Sequence, residues 1–281
     1  AADAIGRPVT DILNMVVRGD ADEPGDGERV CSFKLQAQGV AELSSATGGR
    51  VTVEYLVTPL AARPTHSVLV LHDVSQATTM ANKMAYQAHH DPLTGLFNRA
   101  AFDAKLDAVL ATIDSDQRSH VVLFLDLDQF KVVNDSCGHA AGDELLEQVA
   151  FLFGQVLRPR DVLARTGGDE FSVLLTDCPA RVAMAVADKL RAQLSSFRFV
   201  WQEKTFQVGV SIGAVAVSAG CGSRDELMRK ADTACYIAKD AGRNRAHMYL
   251  DSDTAVMVRQ GELSWATRLQ EALAQGDFEL Q

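Results

Sequence analysis

The chain has 281 residues, which suggests two domains or one domain with substantial attachments, and its net charge is −10. Hydrophobic residues make up 47% and charged residues 23% of the composition, which excludes intrinsic disorder and fibrous repeats. The acidic balance argues against a polymeric nucleic acid as partner, whereas a small nucleotide held by local cations fits. No apolar run approaches the ~18 to 20 residues that cross a bilayer.

The five cysteines are odd in number and have no C-x-x-C spacing, so neither a disulfide framework nor a zinc site is predicted. This cysteine usage fits a reducing, cytoplasmic environment. The chain begins at Ala1 without a signal-peptide pattern, so we expect a piece of a longer protein. Any inner-membrane anchor of that protein would lie outside this sequence.

The N-terminal part predicts a small, mostly β unit. A short apolar segment covers residues 9–17, and the turn formers and charges of residues 20–29 predict a surface loop. Alternating apolar residues predict a strand over residues 49–57, and an apolar run predicts another over residues 67–71. The unit is expected to end near Asp73.

A connecting helix is predicted over residues 76–90. This stretch contains neither glycine nor proline, and Ala77, Met80 and Met84 recur at helical spacing. We therefore expect a helix that leads from the β unit into the next part of the chain.

Helical and strand patterns alternate from Asp91 to Leu250, which implies one sheet covered by helices. The helical patterns cover residues 100–113, 143–157, 180–194 and 225–241, and residues 255–275 look helical again. Apolar strand patterns cover residues 121–127 and 208–217, and two more strands surround a Gly-Gly turn within residues 162–175. No internal repeat is present in the sequence.

Two aspartates follow each other closely at the end of the predicted strand 121–127. Because strand side chains alternate, Asp126 and Asp128 lie on one face of the strand end, where ligands of open α/β sheets commonly bind. Their hard oxygen ligands would suit Mg²⁺. Alternatively, Asp128 caps a following helix and Asp126 merely ends the strand.

A Gly-Gly-Asp-Glu-Phe segment joins two apolar stretches at residues 167–171. Gly167 and Gly168 can form a tight turn and let a ligand approach the backbone. Asp169 and Glu170 run directly into an apolar strand, where an acid costs desolvation free energy unless it is paired or metal-bound. With Asp126 they predict a carboxylate cluster able to hold one or two Mg²⁺ ions.

Five motifs, in order, resemble the GGDEF family of diguanylate cyclases over about residues 83–250. They are Asp-Leu-Asp-x-Phe-Lys-x-x-Asn-Asp at 126–135, Gly-His-x-x-Gly-Asp at 138–143, Arg-x-x-Asp at 158–161, Gly-Gly-Asp-Glu-Phe at 167–171 and Ala-Asp-x-Ala-x-Tyr-x-Ala-Lys-x-x-Gly-Arg-Asn at 231–244. Residues 90–99, His-Asp-Pro-Leu-Thr-Gly-Leu-Phe-Asn-Arg, resemble the segment that opens that family's domain, and are called the lead-in motif below.

This resemblance implies an α/β (α+β) fold with a central mixed sheet covered by helices, related to the nucleotidyl-cyclase palm. It implies the condensation of two GTP into cyclic di-GMP and two pyrophosphates. Asp126, the Leu127 carbonyl, Asp169 and Glu170 would hold Mg²⁺, with Mn²⁺ as the alternative, and Asp169 and Glu170 would be catalytic. Asp169 is the candidate proton acceptor, although the metal can make a protein base unnecessary.

The resemblance also implies a substrate site. Asn134 and Asp143 would read the guanine edge, because an amide and a carboxylate match its acceptor and its two donors. The residues implied in phosphate and backbone contacts are Lys131, Lys239, Arg243, Gly167 and Gly168. Lys239 and Arg243, four positions apart, are expected to share one helix face, although cations in a last helical turn also simply complement the helix dipole.

Two further expectations concern assembly and regulation. Since one domain binds one GTP, two domains must meet face to face, and the active enzyme should be a homodimer. Arg158 and Asp161 resemble the family's product site, where cyclic di-GMP would act as feedback inhibitor. A guanidinium can bond guanine and phosphate, and a carboxylate can accept from guanine N–H groups. The alternative is an ordinary charged helix end.

The flanking residues resemble parts of other families. Residues 1–75 resemble the C-terminal part of a PAS sensory domain, and residues 76–90 would be its signalling helix. The cyclase domain would cover residues 91–252. Residues 253–281 resemble a linker helix and the start of an EAL phosphodiesterase domain, truncated before its metal motif, so the full protein would carry an adjacent EAL domain.

The complete motif set favours a cyclase under sensory and product-feedback control. The alternative is a catalytically silent GTP-binding module that controls the adjacent EAL phosphodiesterase. A purely dimerising sensory scaffold would not need Asn134, Asp143 or Lys239. Thr166 and Cys137 depart from the bulkier apolar residues frequent in the family, but neither occupies a chemical position.

Overall fold

A computed structural model describes residues 14–17, 38–44, 50–61, 63–113 and 118–253. The predicted loop at 20–29, the PAS-like residues before 14 and the predicted helix and EAL-like segment at 255–281 lie outside the described residues. The chain divides into two compact units between Tyr86 and Gln87. No helix within the described ranges is long and apolar enough to cross a membrane.

The first unit contains a four-stranded antiparallel sheet in the order β1-β2-β3-β4. Its strands are β1 (Asn14–Val17), β2 (Gln38–Ser44), β3 (Arg50–Leu60) and β4 (Arg63–Asp73). Val53, Tyr55 and Val57 alternate into a small apolar core with Ala41, which confirms the predicted strand and its inward face. Strand β4 ends at Asp73, whereas the first compact unit continues to Tyr86.

Helix α1 (Ser75–His89) follows and confirms the predicted connecting helix to within one residue at each end. Within the first unit, the start of α1 is held to β3, since the Thr52 backbone N–H donates to Ser75 Oγ over 2.8 Å. Met80 and Met84, one helical turn apart, are both more than half exposed.

The second unit contains a five-stranded sheet in the order β11-β10-β5-β7-β6. The elements in chain order are α2 (Arg99–Thr112), β5 (His120–Asp128), α3 (Phe130–Cys137), α4 (His139–Val156), β6 (Val162–Arg165), β7 (Glu170–Leu175), α5 (Ala180–Ser196), β8 (Phe199–Trp201), β9 (Lys204–Phe206), β10 (Gly209–Val217), α6 (Arg224–Asp240) and β11 (Ala246–Met248). β10 and β11 pair in parallel and the other neighbours antiparallel, so the expected mixed sheet is confirmed.

Helices cover both faces of this sheet. Along β5, Val121, Leu123, Leu125 and Leu127 face one core, which α4 and α5 complete. The alternate residues Val122 and Phe124 face a second core with α2 and α6. A strand buried on both faces reads as a continuous apolar run, which is why β5 could be predicted from its sequence.

Several short elements were not predicted. Helix α3 has eight residues, and α4 begins at His139 rather than at 143. The two helices are separated by Gly138, whose φ of 83° breaks the helical path. The three-residue strands β8, β9 and β11 are too short for an alternating pattern to show them.

Candidate active site

The Gly-Gly turn brings the acids of β5 and β7 to one end of the sheet. Asp126 and Glu170 are direct cross-strand partners, and the Leu127 N–H donates to the Asp169 carbonyl over 3.2 Å. Neither Gly167 nor Gly168 has a positive φ. A Cβ on Gly167 would overlap the Glu170 carboxylate, the flexible end of a side chain, which would have to move aside. The structure therefore places Asp126, Leu127, Asp169 and Glu170 at one end of the sheet.

Cations from two different helices lie against this group. Lys239 Nζ of α6 lies 2.6 Å from Asp126 Oδ2. Arg99, the first residue of α2, places Nη2 3.7 Å from Glu170 Oε2 while its Nε donates to the Thr166 carbonyl over 2.8 Å. The side chains of Lys239 and Asp126 are 34% and 16% exposed, so solvent screens this pair less than it screens a surface pair. Arg99 is 65% exposed, and its pair with Glu170 is screened more strongly.

The negative charges of Asp126, Asp169 and Glu170 lie close together at this end of the sheet. Burial raises the pKa of Asp169, and the neighbouring Asp126 carboxylate raises it further, against the opposite effect of Lys239. Burial also raises the pKa of Glu170, which Arg99 opposes and the carboxylates of Asp126 and Asp169 reinforce. For Lys239, burial is outweighed by the hydrogen bond and charge of Asp126, and its pKa is raised. A further cation at this end of the sheet would relieve the repulsion.

The donor chemistry fits a divalent metal, since two carboxylates and a backbone carbonyl are the oxygen ligands that Mg²⁺ prefers. Within the described part of the chain, however, no three His, Cys, Asp or Glu side chains are grouped as closely as a metal site requires. Lys239 instead holds the Asp126 oxygen that a metal would use. A metal bound at these residues would have to displace the Lys239 ammonium from Asp126.

The proposed guanine-reading residues come from α3 and α4. Asn134 Oδ1 is buried and has no hydrogen-bond partner. A Cβ on Gly142 would overlap this same oxygen, so the Asn134 amide packs directly on the backbone beside Asp143, whose side chain is exposed. A buried acceptor without a partner costs about 1–3 kcal/mol, and Asn134 Oδ1 is therefore free to accept a hydrogen bond. Lys131 is exposed on α3.

The expected shared helix face of Lys239 and Arg243 is wrong. Helix α6 ends at Asp240, Gly242 has a φ of 115°, and Arg243 and Asn244 adopt left-handed φ values of 61° and 47°. Arg243 therefore lies in a turn beyond the helix, because a helix cannot continue through positive φ.

Asp128 has a role that neither alternative foresaw. It accepts a hydrogen bond from Ser211 Oγ over 2.7 Å and one from the Asn244 backbone N–H over 2.9 Å, and it is only 7% exposed. The N-terminal cap position of α3 is Gln129, without a side-chain cap. Asp128 thus anchors the turn that carries Arg243, and does not cap α3.

The Arg-x-x-Asp residues lie at the other end of β6 from the Gly-Gly turn. Asp161 precedes β6 directly, and its Oδ2 accepts from the Arg158 backbone N–H over 3.0 Å. The Asp161 N–H donates in turn to the Arg158 carbonyl over 2.9 Å, which closes a tight turn. The structure therefore keeps this pair apart from the carboxylate group.

The sequence patterns did not identify Arg165, which holds the Gly-Gly turn in place. Arg165, just before the turn, donates from Nε and Nη2 to the Gly168 carbonyl and from Nη1 to Asp91 of the lead-in motif. The available signal was a lone arginine next to a Gly-Gly turn, preceded in the chain by an Asp-Pro-Leu-Thr motif. Its partner is 74 positions away, so local patterns could not identify the pair.

Comparisons with known proteins agree with this fold. Residues 88–245 match the family model described as the diguanylate cyclase, GGDEF domain. The chain therefore belongs to the GGDEF family.

Relatives with different activities are similar to this chain in sequence. The chain is 36% identical over 268 residues, 93% of its length, to the probable diguanylate cyclase DgcE of Escherichia coli. It is 38% identical over 215 residues, 75% of its length, to the cyclic di-GMP phosphodiesterase PdeB of Shewanella oneidensis. The matched regions span 24% of each of these relatives.

A solved structure shares the fold. The coiled coil and GGDEF domain of DgcB from Caulobacter crescentus, in complex with c-di-GMP, superposes with a TM-score of 0.58 at 31% identity. The match covers 62% of this chain and 93% of that one.

Proposed function

We propose that the GGDEF domain of this chain condenses two GTP molecules into cyclic di-GMP and two pyrophosphates. The observation that carries the proposal is the convergence of Asp126, Asp169 and Glu170 on a glycine turn, with Lys239 paired to Asp126. The match to the diguanylate cyclase family model over 88–245 supports the same activity.

The carboxylates would bind the divalent cation at which the reaction takes place. Asp126, Asp169, Glu170 and the Leu127 carbonyl would hold a divalent cation, for which we propose Mg²⁺ with Mn²⁺ as the alternative. Bound there, the cation supplies activation of a 3′-hydroxyl and stabilisation of charge at the α-phosphate. Asp169 is the candidate acceptor for the hydroxyl proton, since its pKa is already raised by burial and by Asp126.

The remaining residues bind and orient GTP. Lys239, released from Asp126, would neutralise phosphate charge together with Arg243 on its anchored turn and exposed Lys131. Gly167 and Gly168 leave room for phosphates against the backbone. Asn134 and Asp143 would bind the guanine edge, and the orphaned Asn134 oxygen supports that assignment because guanine offers N–H donors.

Catalysis in a homodimer follows from this stoichiometry. One domain holds one set of substrate residues, and the reaction joins two nucleotides, so two domains must face each other. The exposed Met80 and Met84 on α1 support pairing through the helix that precedes the domain. Cyclic di-GMP bound at Arg158 and Asp161 would hold the two domains apart and so act as feedback inhibitor.

The test is a product assay with one acid removed. The purified chain incubated with GTP and Mg²⁺ should form cyclic di-GMP, and Asp169→Asn should lower the initial rate by at least about 10²-fold. Asp188→Asn, an exposed acid of α5, is the matched control and should keep the wild-type rate. GTP binding without any product at any protein concentration would contradict the proposal.

The similarity to the phosphodiesterase PdeB, which is 38% identical over 75% of this chain, favours a second candidate function. In that case the domain binds GTP without cyclising it and regulates an adjacent EAL domain. The product assay separates the two, since only a cyclase forms cyclic di-GMP. We further propose that residues 1–75 are a PAS remnant, 76–90 its signalling helix and 253–281 the start of an EAL domain, within a cytoplasmic portion of a longer protein.

A further inference from the structure

Strands β8 and β9 form a small hairpin outside the five-stranded sheet. Phe199 is fully buried, and the centroid of its ring lies 6.3 Å from that of Trp201 and 6.4 Å from that of Phe206. Trp201 and Phe206 also pack against the core that α4 and α5 complete. Aromatic packing therefore fixes the hairpin to the body of the domain.

One polar contact joins this hairpin to α3, the helix that contains Asn134. Lys204 of β9 donates from Nζ to the Ser136 carbonyl over 2.9 Å, although the two residues are 68 positions apart. On the side of α3, Val133 and Phe130 pack in the same core as the aromatic residues of the hairpin. The hairpin and α3 thus share both an apolar core and a charged hydrogen bond.

The Ser136 carbonyl belongs to the end of a short helix. The last carbonyl groups of a helix have no partner within it, and together they form its negative pole. Helix α3 has eight residues and no basic residue in its last turn, and it is followed by Gly138 with a φ of 83°. A helix of this length depends on contacts with the rest of the fold. Lys204 supplies the positive charge that the sequence of α3 lacks at this end.

Asn134 lies in the same last turn, two residues before Ser136. Its carbonyl accepts from the Gly138 N–H over 2.8 Å, and its side-chain oxygen packs against Gly142 without a hydrogen-bond partner. A displacement of the helix end would therefore move the Asn134 amide. Hydrogen bonds weaken steeply as their angle departs from the favoured range, so such a displacement would weaken a bond to a base edge.

We infer that Lys204 is a positioning residue for guanine recognition. It holds the C-terminal end of α3, so that the Asn134 amide keeps the orientation that a guanine edge requires. The inference rests on the proposed guanine-reading role of Asn134 and extends it to a residue outside the family motifs. It also makes a selective prediction, because ATP lacks the guanine edge and its binding should not depend on Lys204.

Lys204→Met tests the inference, since it keeps a long side chain but removes the charge and the hydrogen-bond donor. We expect the Kd for GTP in calorimetry to rise at least about threefold, with the Kd for ATP unchanged. In the product assay KM for GTP should rise while kcat stays at the wild-type value. Because Lys204 is exposed, the unfolding midpoint should stay near that of wild type.

Two further variants separate the contact from a general effect of charge. Lys204→Arg keeps a donating cation and should retain most of the preference for GTP over ATP. Lys189→Met removes an exposed lysine of α5 and changes the net charge equally, so it should bind both nucleotides like wild type.

A double-mutant cycle tests the route through Asn134. In an Asn134→Ala background, Lys204→Met should cause no further loss of GTP affinity. A further loss there, equal losses for GTP and ATP, or wild-type affinities in Lys204→Met would each overturn the inference. A wild-type chain that binds GTP no better than ATP would overturn the role of Asn134 as well. Failure of the cyclase proposal would show separately, as GTP binding without product.

Discussion

Arg165 and Asp91 form an ion pair of 3.1 Å between residues 74 positions apart, with side chains only 15% and 17% exposed. The same guanidinium holds the Gly168 carbonyl over 2.8 Å. One arginine therefore ties the lead-in motif after α1 to the turn that presents Asp169.

Arg165→Ala should destabilise the domain by about 2–4 kcal/mol, because it leaves the mostly buried Asp91 carboxylate with its strongest cationic partner removed. Urea unfolding measures the change. Arg191→Ala, which breaks the more exposed pair with Asp188, is the control and should cost less than about 1 kcal/mol. Equal losses of unfolding free energy in Arg165→Ala and Arg191→Ala would show that the Arg165 pair stabilises the domain no more than an exposed pair does.

Asp91 should make the folding stability of the domain sensitive to acid. Burial would raise the pKa of Asp91, but hydrogen bonds from Thr94 and Arg165 outweigh it and lower the pKa. A carboxyl with a depressed folded-state pKa contributes stability above its unfolded value of about 3.9, and loses it as pH falls through the folded value. The difference in unfolding free energy between wild type and Asp91→Asn should therefore have its full value near pH 6 and decrease below about pH 4. A gap independent of pH would refute this origin.

Gly142→Ala should impair guanine recognition without unfolding the protein. The new Cβ would overlap Asn134 Oδ1, so the amide must move, whereas alanine in a helix interior favours the helix by about 0.5–1 kcal/mol. We expect the preference for GTP over ATP to fall, measured by calorimetry with both nucleotides. Gly154→Ala, in the same helix but with open space around it, should keep the preference. An unchanged preference in Gly142→Ala would remove Asn134 from the guanine site.

Asp128→Ala should weaken GTP binding from a distance. Its loss frees Ser211 Oγ and the Asn244 N–H together, so the left-handed turn carrying Arg243 loses one of its anchors. The hydrogen bond from Ser195 Oγ to Asn244 Oδ1 remains. We expect a higher KM for GTP and a loss of about 2–4 kcal/mol in unfolding free energy. Ser211→Ala breaks only one of the two bonds and should cost less, with KM unchanged. A wild-type KM in Asp128→Ala would show that the turn is held by other contacts.

Local patterns were sufficient to predict the long elements and the Gly-Gly turn. The doubly buried strand β5 reads as an apolar run, and the helices α1, α2, α5 and α6 show helical spacing over 14 residues or more. The family motifs singled out the candidate carboxylates. Their meeting at one sheet end follows from the pairing of β5 with β7.

Other features were decided only by tertiary structure. Whether Arg243 continues α6 depended on Gly242 and on the bond from Asn244 to Asp128, 116 positions earlier. The pairs Arg165 with Asp91 and Lys239 with Asp126 likewise join residues that no local period relates. The sequence by itself therefore determined which chemical groups this protein carries and on which long elements they lie. Their partners were set by packing, because a charge buried at a strand end takes whichever opposite charge the completed fold brings within reach.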